Sequence, residues 1–152
     1  MKLLMILACT LALSACSEPF GPIAGGALQG AKADTPASWV IVDGVEHVQL
    51  ETINKGKPRS VLIWVGTADD RLYVATSLIS GSNNPADRTW VKNVMNNPNI
   101  RLRVQDEIYR LKAVRVVEPV RLEIARSALM LKYEVAVDEQ SSSAWVYELQ
   151  AR

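Results

Sequence analysis

Ile100-Arg101-Leu102-Arg103-Val104-Gln105 alternates apolar and polar side chains with a period of two, the pattern of a strand with one face in a core and one in solvent. Other stretches are equally β-forming. Val61, Leu62, Ile63, Trp64 and Val65 dominate the segment from Ser60 to Thr67. After Asp69-Asp70, a turn signal, Arg71 to Ser77 sets Leu72 and Val74 on one side and Tyr73 and Ala75 on the other. Val40-Ile41-Val42 is an apolar run read as extended and broken at Asp43-Gly44, and Val48, Leu50 and Thr52 mark a second extended stretch. Lys55-Gly56-Lys57-Pro58-Arg59 reads as a turn, and Asp106-Glu107 reverses the chain into a strand from Ile108 to Val117. A last strand is expected over Ala144 to Leu149.

Two helices interrupt this series. One starts near Asp87, a plausible cap, carries Trp90, Val91, Val94 and Met95 on one side, and stops at Asn96-Asn97-Pro98. The other opens with Pro119, favoured in a first helical turn, and runs to about Tyr133 with Val120, Ile124, Ala128 and Leu131 in helical period. Six or seven strands with two short helices predict a mainly β chain folded as a small closed or partly closed antiparallel barrel. Closure removes the exposed edges that make such sequences prone to association.

The N-terminus has a different character. Lys2 precedes the apolar run Leu3 to Leu13, a positive start and short hydrophobic stretch typical of a secretory signal. A permanent membrane-spanning helix needs ~20 apolar residues, so this run is too short. It ends in Leu13-Ser14-Ala15-Cys16, which resembles the lipobox of bacterial lipoproteins. The resemblance implies cleavage before Cys16 and lipidation of Cys16, with Ser17 after it implying sorting to the outer membrane, facing the periplasm. Each buried acyl methylene contributes ~0.8 kcal/mol, so several chains anchor firmly where one does not. Residues 17–38 hold four Gly, three Pro and five Ala without an apolar period and read as a flexible spacer. The expected organisation is a signal peptide over 1–15, lipidated cysteine and linker over 16–38, and a barrel domain over 39–152.

Loss of Lys2 with the signal leaves 16 of the 17 basic residues against 16 acidic ones, a balance that argues against nucleic acid as a partner. With Cys9 removed and Cys16 alkylated, neither disulfide nor thiolate chemistry is available. His47 is the single histidine and reads as a sheet-surface residue, so a three-histidine metal site is impossible within the chain and no metal is expected. Asp69-Asp70 and Asp106-Glu107 read as solvated turns. Phosphate loops, dinucleotide fingerprints and nucleophile elbows are absent from the sequence.

Two clusters stand out. Lys55, Lys57 and Arg59 compress three cations around a glycine and a proline, which suits an anion or a soluble hairpin tip. Ser80-Gly81-Ser82-Asn83-Asn84-Pro85 leads to Trp90 and Asn93, a ring and an amide three residues apart on a helix, as for a flat polar ligand. Plain core is the competing assignment for Trp90. Together, Gly56-Lys57-Pro58-Arg59-Ser60-Val61-Leu62 and the run from Trp90 and Asn93 through Asn97-Pro98 to Ile100, Leu102 and Val104 resemble the deazaflavin-dependent nitroreductase family and its small relatives in the flavin-binding split β-barrel superfamily. The resemblance covers about residues 50–117. It implies a split β-barrel, FMN or the deazaflavin F420 as cofactor, Lys57, Arg59 and Ser60 on the phosphate side, Trp90 and Asn93 on a pocket-forming helix, and a homodimer. The sequence departs from the family in the loop before the tryptophan, where Ser82 follows Gly81 and Arg88-Thr89 precede Trp90.

Two functions follow. One is a lipid-anchored oxidoreductase or binder of a flavin-type cofactor, in which the cofactor carries the chemistry. The other is a non-catalytic envelope lipoprotein that uses the barrel for protein, lipid or glycan contact. A signal without twin arginine exports an unfolded chain, and a cytoplasmic cofactor would not travel with it, which weighs for the second.

Overall fold

The computed structural model describes residues 18–77 and 83–152. Cys16 and the lipobox, and residues 80–82 of the loop before Trp90, lie outside them. The strands are β1 (Ala31–Ala33), β2 (Val48–Asn54), β3 (Lys57–Ile63), β4 (Val65–Ala68), β5 (Arg71–Ala75), β6 (Asn99–Val104), β7 (Glu107–Arg115) and β8 (Val146–Ala151). The helices are α1 (Thr89–Asn96), α2 (Pro119–Lys132) and α3 (Glu139–Ser143), with 3-10 turns at Val40–Val42 and Pro85–Asp87.

The sheet runs β3-β2-β6-β7-β8-β5-β4, antiparallel throughout, and β1 joins β7 in parallel. Its two end strands, β3 and β4, are consecutive in the chain and separated only by Trp64. The expected single strand from Ser60 to Thr67 is therefore two strands meeting at a corner, and that corner ties one edge of the curled sheet to the other. The result is a split β-barrel. Tight reversals set the registers: Lys55 and Gly56, both at positive φ, join β2 to β3, and Asp69 and Asp70 join β4 to β5. Lys57, Pro58 and Arg59 thus belong to β3 rather than to the turn. The β6–β7 reversal is Gln105-Asp106, one residue earlier than expected, because Val104 pairs with Glu107.

Inward-facing Leu50, Val65, Leu72, Val74, Leu102 and Leu111 form the barrel core. Val40–Val42 is a 3-10 turn, not a strand, and it drops Val42 into this core beside Trp39. Helix α1 adds Trp90, Val91 and Val94, whereas Met95 points to solvent at 65% exposure because the buried arc centres on Trp90 and Val94. Its cap is Arg88 rather than Asp87, which lies in the preceding 3-10 turn capped by the Asn84 side chain. Tyr73, Ala75 and Val146, on the outer face, pack under α2. The α2 stripe has the expected period, but its phase is shifted by one residue, about 100° around the helix. Ala125 and Leu129 face the sheet, and Val120, Ile124 and Leu131 face outward. Gly66 permits this approach, since a Cβ there would lie 3.0 Å from the Leu129 Cδ2 atom.

The spacer expectation fails from Glu18 onward, where the segment is a strap across the outer face of β3, β2, β6 and β7. Gly25 and Ser60 exchange backbone hydrogen bonds of 2.8 and 3.1 Å along the free edge of β3. Leu28 is buried; its N–H donates to the Glu51 carboxylate at 2.6 Å and its carbonyl accepts from Arg101 at 2.8 Å. Glu51 and Arg101 are themselves directly paired across β2 and β6, at 3.1 Å. Gly30 then passes so close to β7 that a Cβ would meet the Asp106 carbonyl oxygen at 2.6 Å. A segment with no side-chain period docks because its backbone groups find partners.

Candidate functional site

The corner at Trp64 forms one wall of a cleft of about 480 Å³. Among the described residues, the end of β3 (Val61, Leu62, Ile63), the end of β5 (Ala75) with Thr76 and Ser77, the N-cap and first turn of α1 (Arg88, Trp90), His47, Leu129 and the strap residues Gly21, Pro22 and Ile23 also line it. Its size lies within the ~300–1,000 Å³ of small-molecule clefts, and its lining is mostly apolar with few polar groups.

Trp64 is held by a stacking partner and a hydrogen bond. Its ring stacks on Tyr133 at 4.2 Å between centroids and 5° between planes. Its indole N–H donates to the His47 Nε2 atom at 3.1 Å, which makes that nitrogen an acceptor and puts the imidazole proton on Nδ1. The Tyr133 hydroxyl accepts from the Val65 N–H at 2.9 Å and donates to the Glu46 carbonyl at 2.7 Å. Lys132 donates to the carbonyls of Val42 and Val65 at 2.7 and 2.9 Å. Burial pushes the Tyr133 hydroxyl above, and the Lys132 ammonium below, their ordinary values. Together, Lys132 at the end of α2 and its C-cap Tyr133 supply the polar partners that the bent backbone at Val65 needs, and the indole wall is fixed in place.

Trp90 also lines the cleft and is largely buried, edge-on to Tyr147 at 5.3 Å. Asn93 does not share the cleft with it. Asn93 is buried, its side-chain amide donating to the Thr52 hydroxyl at 2.9 Å, and that hydroxyl reaches the Arg59 carbonyl at 3.3 Å. This chain of bonds docks α1 on the β2–β3 hairpin. The spacing that puts Asn93 beside Trp90 thus turns the amide toward the sheet.

Lys57 and Arg59 are exposed on β3 and do not line the cleft. Period two puts them on the same strand face as Val61, with Arg59 ~7 Å short of it along the strand. Ser60 is buried beneath the strap, where its Oγ has no hydrogen-bond partner and its backbone meets Gly25. Among the described lining residues Arg88 is the one Lys or Arg. Arg88, Trp64 and His47 are among the cleft residues that sequence reasoning missed. The Arg88-Thr89-Trp90 order carried a signal, since it sets a cation at the start of a tryptophan helix. No group of three or more His, Cys, Asp or Glu residues stands ready for a metal ion among the described residues.

Residues 38–143 match the F420H(2)-dependent quinone reductase family, more than half of the chain. The fold is similar to that of a conserved hypothetical protein from Mycobacterium tuberculosis, with a TM-score of 0.61 and 16% identity over 82% of this chain and 86% of the other. It is similar to an F420-H2 dependent reductase with a TM-score of 0.56 and 15% identity, over 82% of this chain and 100% of that one. An FAD-binding protein from Mesorhizobium loti aligns with a TM-score of 0.53 and 12% identity, over 74% of this chain and 86% of that one. At these identities the likeness concerns the fold. A search of curated proteins found no match.

Proposed function

The chain belongs to the F420H(2)-dependent quinone reductase family, and we propose that its cleft holds the ring of FMN or of the deazaflavin F420, in a protein that the Leu13-Ser14-Ala15-Cys16 pattern would anchor by lipid in the bacterial envelope. The observation that carries this reading is the cleft itself, a mostly apolar cavity whose lining includes the indoles of Trp64 and Trp90 and the Arg88 cation at the head of α1. The residues present fit such a group. Flat aromatic walls suit a fused ring, and an arginine suits a phosphate through its planar fork of donors. Such a cofactor supplies hydride transfer when bound. The chain's own part is to bind, to orient the ring against Trp64 and Trp90, and to exclude water with Val61, Leu62 and Leu129. Lys57 and Arg59 stand where they would meet only a portion of the ligand extending along β3.

One observation favours the non-catalytic envelope lipoprotein instead. Of the five residues expected to hold a cofactor, only Trp90 lines the cleft. Titration of the protein with FMN, FAD and F420, followed by quenching of tryptophan fluorescence, separates the two. Arg88→Ala is expected to weaken binding about ten- to a hundredfold, because a hydrogen bond to a charged group is worth roughly 1.5–3 kcal/mol. Arg59→Ala is expected to weaken it less. Absence of saturable binding by the wild type below ~1 mM for all three ligands would overturn the cofactor reading and leave the scaffold.

A further inference from the structure

We propose that the turn from Phe20 to Ile23 is a membrane-seating surface, which holds the mouth of the cleft at the lipid interface. The proposal rests on the reading of Cys16 as the lipidated residue. Phe20 and Ile23 are 79% and 66% exposed, so the fold does not use these side chains for its own core. They are not loosely presented either. The two residues exchange backbone hydrogen bonds of 3.0 and 2.9 Å across Gly21 and Pro22, and Gly21 takes the positive φ of 51° that the reversal requires. The turn is fixed at both ends. Glu18 pairs with Arg103 before it, and Gly25 bonds to Ser60 after it.

Chain length supplies the occupant. An extended chain covers at most ~3.6 Å per residue, so Glu18 lies within ~7 Å of the Cys16 backbone and Phe20 within ~14 Å. A flexible spacer would have put the domain tens of ångströms from the lipid. The docked strap instead leaves Ser17 as the only residue between the anchor and Glu18. An acylated Cys16 therefore brings Phe20 and Ile23 to the bilayer surface, where apolar side chains settle ~5–10 Å into the headgroup boundary. Gly21, Pro22 and Ile23 also line the cleft, so the same turn that meets the lipid forms the lip of the binding site.

The lipidated protein would contain no free thiol, since Cys9 leaves with the signal and Cys16 carries the acyl groups. Phe20→Cys and Ile23→Cys each then give a unique position for an environment-sensitive fluorophore, with Lys112→Cys and Glu139→Cys as exposed reference positions. The full chain is reconstituted in vesicles of phosphatidylethanolamine and phosphatidylglycerol. Quenching by brominated phospholipid is compared with quenching by aqueous iodide, after mass analysis of the N-terminal peptide. Positions 20 and 23 are expected to lose iodide quenching and gain quenching by the brominated lipid, and the reference positions to show the reverse. Iodide quenching at 20 and 23 in acylated protein overturns the proposal and leaves the anchor standing. Protection at 20 and 23 from both quenchers would mean that another protein, or a second copy, covers the turn, and also overturns it. An N-terminal peptide without acyl groups removes the anchor reading, and the seating surface falls with it.

Discussion

Helix α2 and the N-terminal strap both cover the outer face of one sheet, α2 over β4 and β8 and the strap over β3, β2, β6 and β7. They do so by different physics. A helix satisfies its own backbone, so α2 can meet the sheet with side chains alone, and Tyr73, Ala75, Ala125, Leu129 and Val146 make an apolar seam. Beyond the Phe20–Ile23 turn, the strap has no run of internal hydrogen bonds to bring among the described residues. Each buried stretch of its backbone must be matched by something on the sheet: the edge of β3 at Gly25, the Glu51–Arg101 pair at Leu28, and β7 at Ala31–Ala33. Glu51, at 4% exposure, is a charge that the barrel carries for the strap. An irregular cover thus costs the sheet polar residues on its outer face, whereas a helical cover costs it a glycine.

The largest effect is expected where the strap is held. Arg101→Ala leaves the Glu51 carboxylate buried without its cation and the Leu28 carbonyl without its donor, and should destabilise the fold by ~3–5 kcal/mol. Urea unfolding measures the loss, and limited proteolysis should show new cleavage between residues 18 and 33. The pair Glu51→Met with Arg101→Met sharpens the comparison. An ion pair that served only itself would tolerate this exchange. Here the exchange should stay destabilising, because the Leu28 N–H and carbonyl lose their partners, at ~1–3 kcal/mol for each unmade bond. A stable, protease-resistant double variant would break the argument. On the other side, Leu129→Ala should cost ~2–5 kcal/mol through the cavity it opens against Gly66. It should leave the strap as resistant to protease as in the wild type.

The same contrast explains what was legible in the sequence. The strands from Val48 to Arg115 could be read because two-residue reversals and period-two patterns are local and repeat. The strap could not, since Gly, Pro and Ala carry no side-chain period and its contacts run through backbone atoms to residues far along the chain. Nothing local in the sequence marks Glu51 as buried, for the same reason. Val40–Val42 has the composition of a strand, yet burial of Val42 beside Trp39 overrides that propensity. On α2 the period was legible but the phase was not, because an apolar residue count does not favour small Ala125 over bulky Leu131. Trp90 was legible as a residue that could line a cleft from its helix. Trp64 was not, since its role depends on two sheet edges meeting, and the crowding of Lys57 and Arg59 follows from the hairpin register.

The smallest effect tests whether α2 is self-sufficient at its own end. Glu118 caps the helix with its carboxylate, which accepts from the N–H groups of Arg121 and Val120 at 2.7 and 2.9 Å. These two backbone bonds favour the ionised form and hold its pKa below the ordinary 4.5. A depressed carboxylate contributes stability that is fully present above about pH 4.5 and is lost as the pH falls through the folded-state value. Glu118→Gln should therefore lower the melting temperature slightly at pH 7, and the gap to the wild type should close as the pH is brought down through the range below 4.5. Thermal melts of both proteins across that range read the difference directly. The strap should remain protease-resistant in Glu118→Gln at pH 7, because no strap backbone group depends on this carboxylate. A gap that persists unchanged at the acid end would show that the cap acts through the shape of the side chain rather than its charge.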